Sequence, residues 1–294
     1  MGIGYMSHKT PIRYAGGKSK AYQKITSHLP HLPYPKKIIS PFIGGGSMEC
    51  KWAGELGIEV IGYDIFDALV NFWNVVTESP YKMAEVLETL EPTKEKFYEI
   101  KEILMQWEQT QEMLKDWQTS HYKREPIQLD DVTAAAYYFY NHNLSYGPMY
   151  LGWTSKVYQD EKKWKKMIDN IRNFSNSKFQ VRKGSFEEVI PKYKDDFLYL
   201  DPPYFLEKDE DNKMSKGLYP NSNIDVHHTG FDHALLASLL KEHRGGFILS
   251  YNNCETIREY YSDFELHYPE WHYSYDFQKS VPKKSHELLV IGYE

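Results

Sequence analysis

Cysteine is scarce in this sequence, and long apolar runs are missing. The 294 residues contain two cysteines, Cys50 and Cys254, which are far apart and have no spaced partners. This excludes a disulfide framework and predicts a reducing, cytoplasmic location. No apolar run approaches the ~20 residues that cross a bilayer, and residues 1–5 lack the blocks of a secretion signal. The histidines have no metal-ligand spacing, and those that come nearest to a cluster are His227, His228 and His233. We therefore expect neither a membrane span nor a metal site.

Positive charge is in deficit, with 35 lysine and arginine residues against 41 aspartate and glutamate residues and a formal net charge of −6. Such a balance disfavours binding to a polyanion unless the basic residues are concentrated on part of the surface. They are concentrated in 9–20, 162–183 and 279–284, whereas acidic residues collect in 85–112 and 207–211. The basic segments are therefore either a nucleic-acid contact or ordinary solvated helix faces.

Short segments rich in β-branched residues predict a parallel sheet. Residues 37–42 and 59–64 are brief, apolar and bounded by turn residues, as buried strands are. Residues 47–56 between them have a helical composition that stops at Gly57. Strand-helix-strand units of this kind begin a doubly wound α/β sheet. Further strands are predicted at 179–182, 197–201, 246–251 and 287–293.

The middle of the chain has a different pattern. Helices are predicted in three places, 84–90, 95–116 and 131–140. Residues 141–158 are instead aromatic, polar and broken by glycine and proline, which predicts a shaped loop or hairpin. We therefore predict an α/β, Rossmann-like domain built from residues 1–80 and 176–294. An inserted, mostly helical domain at 81–175 interrupts it.

Asp201-Pro202-Pro203-Tyr204 directly follows the predicted strand at its carboxyl end. Ligands of open α/β sheets bind beyond the carboxyl ends of strands. The two prolines fix φ, so the carbonyls of Asp201 and Pro202 point in set directions and form an acceptor pocket with the carboxylate. Such a pocket suits an NH2 group that must lose a proton, and the ring of Tyr204 offers a flat base a stacking surface. The alternative is an ordinary turn capped by its aspartate.

Residues 41–47 form a glycine-rich segment after the first predicted strand. Its glycines tolerate positive φ and allow a ligand to approach the backbone closely. A dinucleotide fingerprint starting at Gly44 needs glycine at position 49, where Glu49 stands. A P-loop ending at residues 17–19 needs glycine at position 12, where Ile12 stands. Both rival motifs fail.

Asp64 ends the second predicted strand, past the glycine-rich segment. A carboxylate in this position can accept hydrogen bonds from both hydroxyls of a ribose. Nicotinamide enzymes use the same device, so Asp64 indicates a cofactor of the adenosine type without choosing which. A simple turn residue is the alternative.

Three motifs occur in a fixed order: residues 11–18 (PIRYAGGK), 41–47 (PFIGGGS) and 201–204 (DPPY). In this order they resemble the Dam-like, D12 class of DNA adenine-N6 methyltransferases, and residues 283–289 (KKSHELL) resemble the final strand of that class. The resemblance covers nearly the whole chain and is weakest at 81–175. It implies a methyltransferase fold, S-adenosylmethionine as cofactor, and a flipped-out adenine in double-stranded DNA as substrate. It also implies that the insertion recognises the target sequence.

The resemblance implies a role for each matching residue. Tyr204 would stack on the target adenine, Asp201 and Pro202 would be the catalytic acceptors, and Arg13 would contact DNA. The residues implied to bind the cofactor are Tyr14, Lys18, Phe42, Gly44, Gly46, Asp64, Ser185, Phe186 and Asp201. Ser185 departs from the class, which usually has an acidic residue there. A hydroxyl still bonds the cofactor's adenine amine, but more weakly.

Contacts to DNA are predicted in two groups. Phosphates would be held by the basic segment through Lys162, Lys163, Lys165 and Lys166. Base edges would be read by Asn141, Asn143, Tyr146 and Tyr150. The alternative for the second group is the edge of a tyrosine-rich core. The polar segment 205–228 is expected to order on DNA, and we expect a monomer or weak dimer.

Three other functions remain open. N4-cytosine and RNA adenine methyltransferases share the fold, but their motif usually begins with Ser or Asn, so Asp201 counts against both. A cofactor-binding regulator without catalysis is the other reading. The joint presence of Asp64, Asp201 and Tyr204 counts against it.

Overall fold

The computed structural model describes most of the chain, namely residues 8–31, 33–107, 125–147, 149–156, 159–205, 231–270 and 287–293. Some predictions lie outside these ranges. They concern the polar segment beyond Phe205, the histidines His227 and His228, the basic residues near Lys283, and the end of the helix predicted at 95–116.

Seven strands are formed by the described residues: β1 (Lys37–Ser40), β2 (Glu59–Asp64), β3 (Phe179–Lys183), β4 (Phe197–Leu200), β5 (Phe247–Asn252), β6 (Glu265–His267) and β7 (Glu287–Ile291). The described residues also form the helices α1 (Tyr22–Thr26), α2 (Glu49–Glu55), α3 (Asp67–Glu78), α4 (Pro80–Glu88), α5 (Lys94–Gln106), α6 (Asp131–Leu144), α7 (Glu161–Arg172), α8 (Phe186–Lys192), α9 (His233–Glu242) and α10 (Glu255–Tyr260). A 3₁₀ turn at Ser19–Ala21 precedes α1.

The strands form one sheet in the order β3-β2-β1-β4-β5-β7-β6. The first five strands in this order are parallel, and β7 runs antiparallel between β5 and β6. β4 is buried along its whole length, as expected of a parallel strand with both faces covered. The strand order reverses between β1 and β4, which leaves a crevice at their carboxyl ends. The predicted α/β class is therefore confirmed.

Two apolar cores lie on the two faces of this sheet. One contains Ile38 and Val60 together with residues of α2 to α7. The other contains Ile39 and Leu198 together with residues of α8, α9 and α10. Alternate residues of β1 thus point to opposite faces, as strand geometry requires.

Within the described part of the predicted insertion, the helices share their core with the rest of the chain. α6 packs against α3, α4 and α5, and α7 packs against α4. Buried side chains of α6, such as Phe139, belong to the same cluster as Ile38 of β1. These helices therefore extend one layer of the fold, and the structure does not set them apart as a separate domain. Their part in target recognition stays a prediction.

Two of the places where the local predictions differ from the structure are informative. The sequence assigned 141–144 to a loop, but these residues continue α6 and are buried. The polar residue types led to the wrong prediction because Asn141, His142 and Asn143 each make a hydrogen bond to another segment inside the protein. A bridge between Ser145 and Thr154 then gives the hairpin-like contact expected in this region. The short edge strand β6 was missed because three residues carry no readable period.

None of the helices in the described ranges combines the length and apolar content that crossing a membrane requires. Within the same ranges, no three His, Cys, Asp or Glu side chains gather in a way that would hold a metal ion.

Candidate active site

Three motif segments meet where the strand order reverses. The glycine-rich segment follows β1, Asp64 ends β2, and Asp201 follows β4. The backbone N–H of Gly44 donates to Asp64 Oδ2 at 3.3 Å. The N-terminal segment joins them, because Lys18 donates from its backbone N–H to Ser47 Oγ at 3.0 Å and from Nζ to Asp201. One crevice therefore contains most of the residues predicted to bind the cofactor.

Tyr14 covers the glycine-rich segment. A Cβ at Gly45 would lie 2.3 Å from Tyr14 Cβ, so a larger residue at this position would displace the tyrosine. Gly44 and Gly46 have φ of 44° and 57°, a region that favours glycine. Trp73 Nε1 donates to the Gly44 carbonyl at 2.9 Å and fixes the turn.

Asp64 is half-buried and already braces the glycine-rich turn. Its Oδ1 accepts from the Phe66 N–H at 3.0 Å, while Oδ2 accepts from Gly44. Burial raises the pKa of the Asp64 carboxyl to about 6, against the opposing effect of these backbone bonds. The group is therefore largely ionised at pH 7 and becomes neutral in mildly acidic solution.

The Asp201 carboxylate is held by a buried lysine. Lys18 Nζ lies 2.8 Å from Oδ1 and 2.9 Å from Oδ2, and it also donates to the Gly16 carbonyl at 3.0 Å. The Lys18 side chain is 3% exposed and that of Asp201 is 24% exposed. Burial raises the pKa of Asp201 above its usual value, and the Lys18 charge opposes that rise. Lys18 thus favours the ionised, accepting form of Asp201.

Tyr204 is bonded through its hydroxyl to β7, which lies two strands away from β4 in the sheet. Tyr204 Oη donates to Glu287 Oε2 at 2.6 Å, and Glu287 is 3% exposed. The next residue, Phe205, exchanges two hydrogen bonds with the Asn252 amide, at 3.0 and 2.8 Å. Sequence reasoning missed Glu287 and Asn252 as site residues. The sequence did offer one signal for Glu287, namely a carboxylate at the start of an otherwise apolar final strand.

An apolar wall lies beside this crevice. The rings of Phe42, Phe186 and Phe231 contact one another with centroids 5.0 to 5.7 Å apart. Ser185 is the N-cap of α8 and makes no capping hydrogen bond through its side chain. Aromatic faces beside a polar group suit a flat heterocycle that carries an amine.

The family model of the D12 class N6 adenine-specific DNA methyltransferases matches residues 14–275 of the sequence. The chain belongs to this family. It is an adenine-specific DNA methyltransferase, which decides against the N4-cytosine, RNA and non-catalytic alternatives. The match covers the glycine-rich segment, Asp64 and Asp201, and it ends before Glu287.

In this methyltransferase the segment before Tyr14 is fastened to the end of α6. The Arg13 N–H donates to Asn143 Oδ1 at 3.1 Å, and its guanidinium donates to the Asn143 carbonyl at 3.0 Å. His142 Nε2 lies 2.8 Å from the Arg13 carbonyl and is the donor, because a carbonyl oxygen only accepts. Burial lowers the pKa of His142 to about 3, so the ring is neutral. Arg13 is thus a link between the N-terminal segment and the helical layer.

The residues predicted to read base edges divide into two kinds. Asn141 and Asn143 are 0% and 1% exposed. Asn141 Oδ1 accepts from the Leu151 N–H at 2.7 Å, and Asn143 Nδ2 donates to the Phe139 carbonyl at 2.9 Å. Both side chains are buried and bond within the protein in this conformation, so a contact with base edges stays a prediction that would require them to become exposed.

The two tyrosines in this group differ from the asparagines. Tyr146 is 57% exposed, and its backbone N–H donates to the Trp153 carbonyl across the hairpin-like segment. Tyr150 is half-buried and packs against Phe66 and Tyr138 at 5.3 and 5.4 Å. Tyr146 therefore keeps its candidacy as a DNA contact, whereas Tyr150 is mainly part of the core edge.

Four lysines lie on the exposed side of α7: Lys162, Lys163, Lys165 and Lys166. Trp164 and Ile168 form the buried side of the same helix, and Trp164 Nε1 donates to the Leu90 carbonyl at 2.8 Å. This amphipathic placement fits a phosphate contact and a solvated face equally well.

Proposed function

We propose that this enzyme transfers the methyl group of S-adenosylmethionine to N6 of an adenine flipped out of duplex DNA. The observation that carries the proposal is the meeting of Asp201, Tyr204 and Asp64 with the glycine-rich segment in one crevice. That arrangement sets an acceptor for an amine beside groups suited to an adenosine-type cofactor.

The residues of the crevice fit this cofactor. Asp64 offers carboxylate oxygens to ribose hydroxyls, and the positive φ of Gly44 and Gly46 supports a turn without side chains where the ligand approaches. The wall of Phe42 and Phe186 offers apolar faces to an adenine ring, with Ser185 beside it. When bound, the cofactor supplies an activated methyl group.

Asp201 would act on the amine of the target base. The N6 lone pair is delocalised into the adenine ring, which makes the nitrogen a poor nucleophile. Hydrogen bonds from the amine to Asp201 and to the Pro202 carbonyl favour a more tetrahedral nitrogen and disperse its developing positive charge. Such bonds strengthen as charge develops and so stabilise the transition state more than the ground state. A carboxylate has about four acceptor sites, so Asp201 can keep Lys18 while it accepts from the base.

Tyr204 would hold the flipped base. Extruding a base from a duplex costs a few kcal/mol of stacking and pairing. Stacking on an aromatic side chain returns about 1–3 kcal/mol. Burial holds the pKa of Tyr204 well above its usual value, so its ring stays neutral and its hydroxyl remains a donor to Glu287.

Incubation with methyl-labelled S-adenosylmethionine tests the reaction directly. Two DNA substrates are compared: a mixed-sequence duplex and a duplex made only of G·C pairs, which contains no adenine. We expect label in the first alone, recovered as N6-methyladenine after nuclease digestion. Label in the G·C duplex, or recovered on cytosine, would contradict the proposal.

Cofactor binding is expected to weaken in acid because Asp64 loses its charge. With a folded-state pKa of about 6, the carboxyl is protonated as pH falls and no longer accepts from two hydroxyls. Affinity measured by calorimetry should therefore drop by roughly tenfold between pH 7 and pH 5. Asp64→Asn should bind weakly at both values and lose this dependence. Asp67→Asn, at a partly exposed residue three positions away, serves as the matched control and should behave like the wild type.

DNA binding should depend on the lysines of α7 if the enzyme holds duplex DNA there. Replacement of all four by Gln is expected to weaken binding to target and unrelated duplexes alike. The slope of log affinity against log salt should become shallower by about 0.9 for each phosphate that the variant no longer neutralises. Affinities are measured across a salt series on both duplexes.

The control for this experiment removes the same charge from other exposed lysines, namely Lys36, Lys192, Lys194 and Lys241. Lys36 and Lys194 precede β1 and β4, so they lie at the edge of the sheet opposite the crevice. This control should keep the wild-type slope. Equal slopes in the two variants would show that the α7 lysines are a solvated helix face.

A further inference from the structure

Two residues outside the glycine-rich and DPPY motifs converge on the turn that contains Tyr204. Asn252 ends β5 and Glu287 begins β7, and the two are register partners in the antiparallel β5–β7 pair. Asn252 holds the backbone of Phe205 from both its N–H and its carbonyl. Glu287 holds the phenol of Tyr204 at 2.6 Å. The turn is therefore fixed at its backbone and at the tip of its ring by one rung of the sheet.

A glutamate at position 287 is less favourable for the stability of the fold than an amide or an apolar residue would be. It is 3% exposed, and burial raises the pKa of its carboxyl to about 7. A buried carboxyl that is ionised even part of the time costs more than an amide or an apolar side chain of similar volume. Its partners are Tyr204 and, at 3.4 Å, the hydroxyl of Ser250. Both bonds are ones that an oxygen acceptor makes, and the shorter one is directed at the predicted stacking ring.

Among the described residues, the hydroxyl of Tyr204 has its short polar contact with Glu287, and Ser250 also bonds it. Tyr251 packs against Tyr204 with ring centroids 6.0 Å apart, and Lys18 Nζ lies 5.0 Å from the ring centroid. Packing limits where the ring lies but leaves its tilt to the hydroxyl bond. A stacking surface must present its face at a set angle to the base, because small misplacements of reacting groups cost large factors in rate.

We propose that Glu287 and Asn252 are positioning residues that hold Tyr204 in the orientation required to stack on the target adenine. This inference rests on the proposed function. Neither residue touches the reacting atoms; both act through the turn. Loss of the hydroxyl bond therefore lowers the rate of methyl transfer and leaves the cofactor site intact, because Asp64 and the glycine-rich segment lie on other strands.

A double-mutant cycle between Tyr204→Phe and Glu287→Ala tests the inference. Each single variant should lower the single-turnover rate of methyl transfer to a mixed-sequence duplex by about tenfold. The double variant should be no slower than the slower single variant, because both substitutions break the same bond. Glu287→Gln, which keeps an acceptor oxygen, should recover most of the rate. Calorimetric affinity for S-adenosylmethionine should stay within about twofold of the wild type throughout.

A matched control comes from Glu49, which is also 3% exposed and also accepts from a serine, Ser40, at 2.8 Å. Glu49→Gln removes a buried carboxylate without touching Tyr204. Its effect should multiply with that of Tyr204→Phe. Thermal unfolding of each variant shows whether it is folded. If Glu287→Ala unfolds, Tyr204→Phe still breaks the bond and should lower the rate by about tenfold, while Glu287→Gln, which keeps the acceptor, should stay near the wild-type rate.

The outcomes separate the two proposals. If the wild type methylates adenine but the losses at Tyr204 and Glu287 multiply to about a hundredfold, the positioning role is overturned and the function stands. The same holds if both single variants keep the wild-type rate, or if cofactor affinity falls in step with the rate. A wild type that transfers no methyl group to adenine overturns both.

Discussion

Asp201→Asn is expected to reduce the single-turnover rate of methyl transfer by far more than tenfold while cofactor binding remains measurable. The amide puts an NH2 donor where the target amine needs an acceptor, and it removes the counter-ion of Lys18. Each tenfold loss of rate corresponds to ~1.4 kcal/mol of transition-state stabilisation. Asp64 and the glycine-rich turn do not depend on Asp201 for their own bonds, so cofactor affinity should survive.

A matched control lies at the other end of the same strand. Asp196 precedes β4 and pairs with Lys37 at 2.8 Å, so Asp196→Asn also breaks a lysine–aspartate pair. It should leave the rate near that of the wild type. An Asp201→Asn enzyme that retains more than about a tenth of the wild-type rate would remove Asp201 from the catalytic role.

Lys18→Met is expected to lower both stability and rate. The substitution leaves the Asp201 carboxylate buried without its counter-ion, and breaking a buried pair in this way costs up to about 3–5 kcal/mol. Because the Asp201 side chain is 24% exposed, the loss of stability should lie toward the lower end of this range. Urea unfolding at pH 8 measures the loss. The rate should fall at neutral pH because more Asp201 is protonated, and it should recover in part as pH rises.

The direction of the pH effect distinguishes loss of the Lys18 charge beside Asp201 from simple loss of packing. Removal of Lys18 lets the folded-state pKa of Asp201 rise further above its unfolded value. Protonation then relieves the uncompensated charge, so the stability gap to the wild type should narrow as pH falls toward 5. The double variant Lys18→Met with Asp201→Asn carries no such charge and should show a smaller gap at pH 8. A gap that is the same at both pH values would point to lost packing instead.

The family and the sheet were readable from local sequence. Strand segments such as 59–64 and 197–201 are short apolar runs ended by a carboxylate, and buried parallel strands leave this pattern because both of their faces are covered. The DPPY turn and the glycine-rich turn were readable because each depends on backbone constraints that only proline or glycine meets. Each of these signals is contained within a run of a few neighbouring residues.

Contacts between distant segments were decided by the tertiary structure alone. The sequence could not show that Lys18 would meet Asp201, that Tyr204 would bond Glu287, or that Asn143 would be buried against Arg13. Nor could it show that the helical middle of the chain shares its core with β1. Backbone periodicity and turn chemistry are local properties and are written in neighbouring residues. The burial and the partner of a polar side chain depend on segments that only folding brings together. From the sequence alone, an asparagine such as Asn143 is therefore compatible both with a DNA contact and with a buried structural role.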